Sequence, residues 1–255
     1  MKIFYFTGTG NSLYVAKRFE GELYSIPKML KNNELTFEDD KIGIIFPTYA
    51  LTAPKIVREF IEKVTLKSSY IFAILTYGNM VGNGPAWFVE YAKKNNITIH
   101  YANSLLMVDN YLPFFDVEEQ KQKPKNIEEN LSHLLKDVSK KKNFIRKGSL
   151  LDSILNSCVE NGRKLMPNLQ SPKNFFINDK CNGCGTCSKV CPRNNLSLSK
   201  ESNGNKPIYG TNCEFCLSCV NLCPQKAIKL KKEKNPNARF KNENITLKEI
   251  IDSNG

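Results

Sequence analysis

The sequence predicts an α/β chain: a doubly wound, parallel five-stranded sheet followed by a small C-terminal α+β module. Three observations predict it. Up to about residue 143, apolar runs of strand length alternate with stretches of helical spacing, the pattern of a parallel sheet covered on both faces. From Asp179 the texture changes to dense Cys, Gly, Asn and Pro, which cannot build an ordinary core without staples. The 255 residues, 41% hydrophobic and 10% aromatic, suffice for one large domain or for a domain plus a module.

The elements follow in order. Lys2–Phe6 reads as a first strand, Ser12–Glu22 as a helix through Leu13, Ala16 and Phe19, and Leu23–Ile26 as a short edge strand. Ile42–Phe46 is a buried strand. The helix after it carries Pro54 in its first turn and Ile56, Val57, Phe60, Ile61 and Val64 along one face. Tyr70–Leu75 is the next strand, Pro85–Lys94 a helix, Ile97–Val108 an extended run, and Asn126–Lys142 an amphipathic helix with Leu131, Leu134, Leu135 and Val138 on one side. Residues 144–178 read as a helical connector and linker, with helical spacing through Leu150, Ile154, Leu155 and Leu165 and then Pro167, Pro172 and Asn174. The expected domains are therefore 1–143, the connector 144–178, a cysteine-rich module over 179–231, and a polar tail over 232–255 that frays at its end.

No apolar run approaches the 18 or so residues that span a bilayer. The opening Met1–Phe6 run reaches Thr7 and Gly8 before it supplies a signal peptide's apolar core, so a cytoplasmic protein is expected. The formal charge is +12, but the basic residues are dispersed. No helix-turn-helix or basic–aromatic array accompanies them, so the basic runs read first as solvated surface and next as docking sites for acidic protein partners, not as a nucleic-acid surface.

Eight of the nine cysteines lie between 181 and 223. They form two runs, Cys181-x2-Cys184-x2-Cys187-x3-Cys191-Pro192 and Cys213-x2-Cys216-x2-Cys219-x3-Cys223-Pro224, the internal repeat of the chain. Zinc sites take two Cys pairs or Cys/His pairs, not a doubled run of four. A disulfide framework needs an oxidising compartment, for which nothing marks this chain. The spacing resembles that of bacterial-type ferredoxins with two [4Fe-4S] clusters, over residues 179–230. The resemblance implies that all eight are ligands and that the fourth cysteine of each run reaches the other cluster. Cys181, Cys184, Cys187 and Cys223 then hold one cluster, and Cys213, Cys216, Cys219 and Cys191 the other. The second run closes in the usual Cys223-Pro224-Gln225-Lys226-Ala227-Ile228; the first departs with Arg193-Asn194-Asn195-Leu196, which alters packing but not ligation. Cys158 stands apart and reads as a buried or incidental thiol.

The first strand runs into Thr7-Gly8-Thr9-Gly10-Asn11-Ser12 and then a helix. Glycines let backbone N–H groups converge on a phosphate, and the helix N-terminus favours negative charge. No Lys-Ser/Thr follows Gly10, so the Walker pattern fails, and Leu13 stands where a dinucleotide fingerprint needs its third glycine. A tight strand–helix turn explains such a loop without a ligand, yet two later loops accompany it. Pro47-Thr48-Tyr49-Ala50 and Thr76-Tyr77-Gly78-Asn79 follow neighbouring strands at the carboxyl edge of a doubly wound sheet. The hydroxyl-rich loop resembles that with which flavodoxins hold FMN. By that resemblance all three loops are cofactor-binding, with Tyr49 first and Tyr77 second for stacking on the flavin, and Trp87 a packing residue.

The whole chain resembles the fused flavodoxin–ferredoxin proteins found chiefly in anaerobic bacteria and archaea. That resemblance implies an electron-transfer protein relaying electrons between FMN and two [4Fe-4S] clusters, with redox proteins as partners. The alternative is a flavin-dependent reductase of a small substrate. It needs an acid–base residue, and His100, His133, Asp109 and Tyr111 offer no obvious one.

Overall fold

The computed structural model describes residues 1–32, 35–165, 172–199 and 206–254, and no side chain at 160 or 163–165. Leu165 and Pro167 of the expected connector lie outside the described side chains and residues. The chain divides into two compact units. The first comprises Met1–Thr7, Asn11–Met107 and Pro124–Met166; the second comprises Gly8–Gly10, Val108–Lys123 and Pro167–Gly255.

The first unit contains β1 (Lys2–Tyr5), α1 (Asn11–Lys17), β2 (Glu22–Ser25), α2 (Ile26–Met29), β3 (Thr36–Glu38), β4 (Lys41–Pro47), α3 (Lys55–Lys63), β5 (Thr65–Lys67), β6 (Tyr70–Tyr77), α4 (Gly84–Lys94) and β7 (Tyr101–Leu106). Between β7 and the rest of this unit, α5 (Val117–Gln122) belongs to the second; α6 (Ile127–Ser139), β8 (Phe144–Ile145) and α7 (Leu150–Leu165) complete the first. Six strands form one sheet in the order β2-β1-β4-β6-β7-β8, and every pairing is parallel. The central strands β4 and β6 are buried almost end to end, which is why they read as unbroken apolar runs. They are matched residue for residue, and Gly43 sits opposite Phe72: a Cβ there would lie 2.4 Å from the ring. Only glycine leaves room for that phenyl group in the core.

Two expectations need correction. The sheet has six strands, not five; β8 is a two-residue edge strand, too short to carry a readable period. The boundary expected at 143 falls inside the first unit, which continues through β8 and α7. The helix expected in the connector is α7, and its apolar spacing faces solvent: Leu150, Leu151 and Ile154 are exposed, at 86%, 77% and 61%. That helix is held instead by buried Asn156, whose Nδ2 donates to Leu51 O (3.1 Å) and whose Oδ1 accepts from Asn83 N (3.3 Å).

The second unit holds α5, a 3-10 turn (Pro172–Asn174), β9 (Phe175–Ile177), α8 (Thr186–Lys189), β10 (Leu196–Leu198), β11 (Pro207–Tyr209), α9 (Ser218–Asn221), β12 (Ile228–Leu230) and α10 (Leu247–Asn254). Two antiparallel ribbons, β9–β12 and β10–β11, frame it. The cysteine-rich stretch has a genuine core, which corrects the expectation that it cannot build one. Phe175 stacks on Phe215 at 5.4 Å, among Leu196, Leu217, Val220, Ile228 and Leu230. Two segments outside the cysteine runs enlarge it: Leu112 and Val117 from 108–123, and Ala238 and Phe240 from beyond β12. The expected fraying tail is therefore a folded segment. Lys234 N donates to Leu112 O (2.9 Å), Phe240 N to Asn221 Oδ1 (3.0 Å), and Asn254 Nδ2 to Val190 O (3.2 Å). Its buried apolar residues, Ala238, Phe240, Ile245 and Ile250, are few and scattered, so composition alone reads as polar.

Candidate metal centre

The two cysteine runs fold alike, at positions 32 residues apart. Gly183 and Phe215, Gly185 and Leu217, and Asn194 and Lys226 all take positive φ. The first run uses glycine where that conformation costs nothing; the second places Phe215 and Leu217 there and buries both. Left-handed φ costs about 1–2 kcal/mol at such a residue, and burying Phe or Leu returns about 1.5–3 kcal/mol. The short helices α8 and α9 then begin at the same point of each run.

One cavity is lined by Cys181, Cys184, Cys187 and Cys223. Cys187 feels the charges of those same three. Cys191 acts on Cys213, Cys216 and Cys219 across the other group. The fourth cysteine of each run thus stands with the first three of the other. Among the described residues, no three Cys, His, Asp or Glu side chains close on one point as the ligands of a single ion do. Thiolates around a cubane are held apart by the iron and sulfide between them, so the wider grouping suits a cluster.

Each group supplies hydrogen bonds to sulfur. Asn195 N donates to Cys191 Sγ, Ala227 N to Cys223 Sγ and Phe215 N to Cys213 Sγ, each at 3.3 Å. Thr186 Oγ1 lies 3.4 Å from Cys184 Sγ and Ser218 Oγ 3.1 Å from Cys216 Sγ, the same pair in each run. Burial pushes the Cys187 and Cys213 thiols up to about 11 and Cys216 to about 12. Cys184 moves the other way, because hydrogen bonds from Thr186 favour its thiolate. A buried thiol gives up its proton to bind metal, so loading these groups releases protons.

Sequence reasoning missed the charge that joins the two runs. Arg193 Nε and Nη2 each lie 2.7 Å from Glu214 Oε2, with the side chains 7% and 2% exposed. In the sequence neither residue stands out: Arg193 lies two positions after Cys191, and Glu214 directly follows Cys213. Cys158, by contrast, is exposed, so of its two readings, buried or incidental thiol, the first does not hold.

The loops expected to bind flavin lie as follows. In the first unit β1, β4 and β6 are neighbours, so their carboxyl ends adjoin. Ser12 Oγ and Thr76 Oγ1 share a buried hydrogen bond of 2.8 Å, and Thr48 N donates to Thr76 O (2.8 Å). Tyr49 and Thr52 close a two-residue turn in which Ala50 and Leu51 both have positive φ. Arg58 braces it through Ala53 O (2.9 Å) and Thr52 Oγ1 (2.7 Å). Tyr49 is half-buried with its ring edge-on to Phe6; Tyr77 is half-buried under the Arg146 guanidinium. Pro47 and Gly78 are half-buried and Asn79 is exposed, whereas Thr7 and Asn11 are buried. Trp87 packs between Tyr91 and Arg58.

Gly8, Thr9 and Gly10 belong to the second unit. Ser218 Oγ donates to Gly8 O and Asn242 N to Thr9 O, both at 2.8 Å, while Asn110 Nδ2 donates to Thr9 Oγ1. A Cβ on Gly10 would meet Asn242 Cβ at 2.9 Å, so close packing alone requires that glycine. Of the acid–base candidates, His100 Nδ1 accepts from Ile71 N (3.1 Å) at the start of β6, away from the carboxyl edge. His133 is exposed on α6, and Asp109 caps the turn to Tyr111 within the second unit.

These features define a chain with a parallel α/β sheet unit and a C-terminal ferredoxin-type iron–sulfur domain. Residues 180–227 match the family model of the 4Fe-4S dicluster domain, a minor share of the chain. No curated protein matches the chain. The matched domain implies [4Fe-4S] clusters, electron transfer and redox partners. Among the described residues no helix is long and apolar enough to cross a membrane.

Proposed function

We propose that this chain is an electron-transfer protein. In it Cys181, Cys184, Cys187 and Cys223 hold one [4Fe-4S] cluster, and Cys191, Cys213, Cys216 and Cys219 the other. The observation that carries the reading is the cavity lined by three cysteines of the first run and the last of the second. Bound clusters each supply storage for one electron. The chain's own part is to exclude water and to donate hydrogen bonds to sulfur, both of which tune potential.

The same proposal assigns FMN to the carboxyl edge of the parallel sheet. In support, the strand order leaves a switch point between β1 and β4, where ligands of doubly wound sheets bind. The donor set fits a phosphate monoester: Thr7 and Ser12 offer neutral hydroxyls. Tyr49 and Tyr77 offer half-buried rings. Bound FMN would give a chain that carries one-electron centres a two-electron capacity as well.

Anaerobic purification with metal, sulfide and flavin analysis tests both parts. About eight iron, about eight sulfide and about one FMN per chain is expected from two cubanes and one flavin. Zinc without iron refutes the cluster reading, and iron with no flavin uptake refutes the FMN assignment alone. Thr9→Ala should weaken FMN by about 1.5–3 kcal/mol and leave riboflavin, which lacks the phosphate, nearly unchanged. Equal losses assign Thr9 to the loop's fold.

A further inference from the structure

We propose that electrons enter and leave the iron–sulfur domain at the Cys184 edge of the first cysteine group, on a lysine-lined face that docks an acidic one-electron carrier protein. This rests on the cluster assignment above and adds the port and the partner's chemistry.

Two observations inside the second unit carry it. The first is unequal exposure. Cys184 is exposed, and so are Asn182 and Gln225, which line the same cavity; in the other group Cys191 and Cys219 are buried. Electron tunnelling falls steeply with distance, so a partner reacts fastest where a ligand reaches the surface.

The second observation is charge. Residues 178–189 and 223–232, which carry the first group, contain six lysines against the single Asp179. Lys180, Lys189 and Lys226 are exposed. Lys229 is near enough to Lys180 and Lys226 to feel their charge, and Lys189 to influence Cys184. An oxidised cubane with four thiolates carries about −2, which these lysines outweigh. Phe176, 48% exposed, pairs directly with Lys229 across the β9–β12 ribbon and offers an aromatic anchor within the basic face. In the other group Arg193 and Glu214 are both nearly buried and pair with each other, so neither adds to an exposed basic rim. A basic rim around one exposed ligand steers an acidic surface toward it and fixes its orientation. The step is the loss of one electron by the reduced cluster and its gain by the carrier's oxidised centre. No bond or proton moves.

The test uses the full-length, cluster-loaded protein, reduced anaerobically and mixed in a stopped-flow instrument with oxidised plastocyanin, an acidic one-electron copper protein. Cytochrome c, a basic one, is the counter-probe. The expected result is a plastocyanin rate that falls steeply with salt. It should drop at least about tenfold in the Lys180→Glu/Lys189→Glu/Lys226→Glu variant, while the cytochrome c rate rises. The same charge change on the first unit, Lys31→Glu/Lys63→Glu/Lys94→Glu, should leave most of the plastocyanin rate. Equal losses in the two variants overturn the proposal, because net charge alone then explains them; so does an unchanged rate, or a wild-type preference for cytochrome c. Iron, sulfide and the low-temperature resonance signals of every variant keep the two readings apart. Wild-type protein that carries no clusters refutes the electron-transfer reading and the port with it. Intact clusters without selectivity refute the port alone.

Discussion

At the scale of single residues, Arg193 and Glu214 carry more of the fold than their chemistry suggests. Both are nearly buried, and they tie the exit of the first cysteine run to the second. Removing one partner leaves an uncompensated buried charge, so Arg193→Met should cost about 3–5 kcal/mol. Arg193→Met with Glu214→Met should recover most of that, because no charge remains to be solvated. Denaturant titration of the holoprotein reads both. The cysteines make a second prediction. Cys191→Ser should disturb the cluster of Cys213, Cys216 and Cys219, and Cys223→Ser the cluster of Cys181, Cys184 and Cys187. Iron content should fall by about half in each, and spectra compared with Cys184→Ser and Cys216→Ser controls assign the lost centre. If Cys191→Ser instead resembles Cys184→Ser, each run holds its own cluster.

At the scale of elements, the contact between α1 and α6 is electrostatic at its rim. Tyr14 and Arg18 both hydrogen-bond Glu128, and the Tyr14 hydroxyl first, then the Arg18 guanidinium, hold that carboxyl below its usual range. The pair is well exposed, so Glu128→Gln should cost no more than about 0.2–1 kcal/mol at neutral pH. Because the folded pKa is depressed, this stabilisation is present above the unfolded value of about 4.3 and disappears as pH falls through the lower folded value. Thermal melts of wild type and variant should therefore differ at pH 7 and converge below about pH 4. The segment after β12 behaves differently. Phe240 is buried and its N–H is held by Asn221, so Phe240→Ala should cost about 3–5 kcal/mol in the unit that carries the clusters. Periodicity revealed α3 and α6 because their apolar stripes face a core. It also revealed the helix α7, although that stripe is exposed, but it missed the segment from 232 onward, whose core contribution rests on Ala238, Phe240, Ile245 and Ile250 scattered among polar residues.

At the scale of the molecule, two compact units predict two transitions. Removing iron with a chelator under anaerobic conditions should destabilise the unit that carries the cysteines, because metal binding is folding free energy there. The parallel sheet has its own apolar core and should melt as before, which calorimetry of stripped and loaded protein checks. A single transition that shifts as a whole on stripping overturns this independence.

The parallel sheet and the iron–sulfur domain were determined by the sequence alone, because both are written in local spacing. Strand and helix periods alternate, and the doubled cysteine runs are ligand geometry laid out along the chain. Tertiary structure alone decided the sixth strand, the unit boundaries and the Arg193–Glu214 pair. Each depends on segments distant in sequence meeting in space. Spacing measures only what is near along the chain, whereas burial and charge pairing are settled by what packs across it.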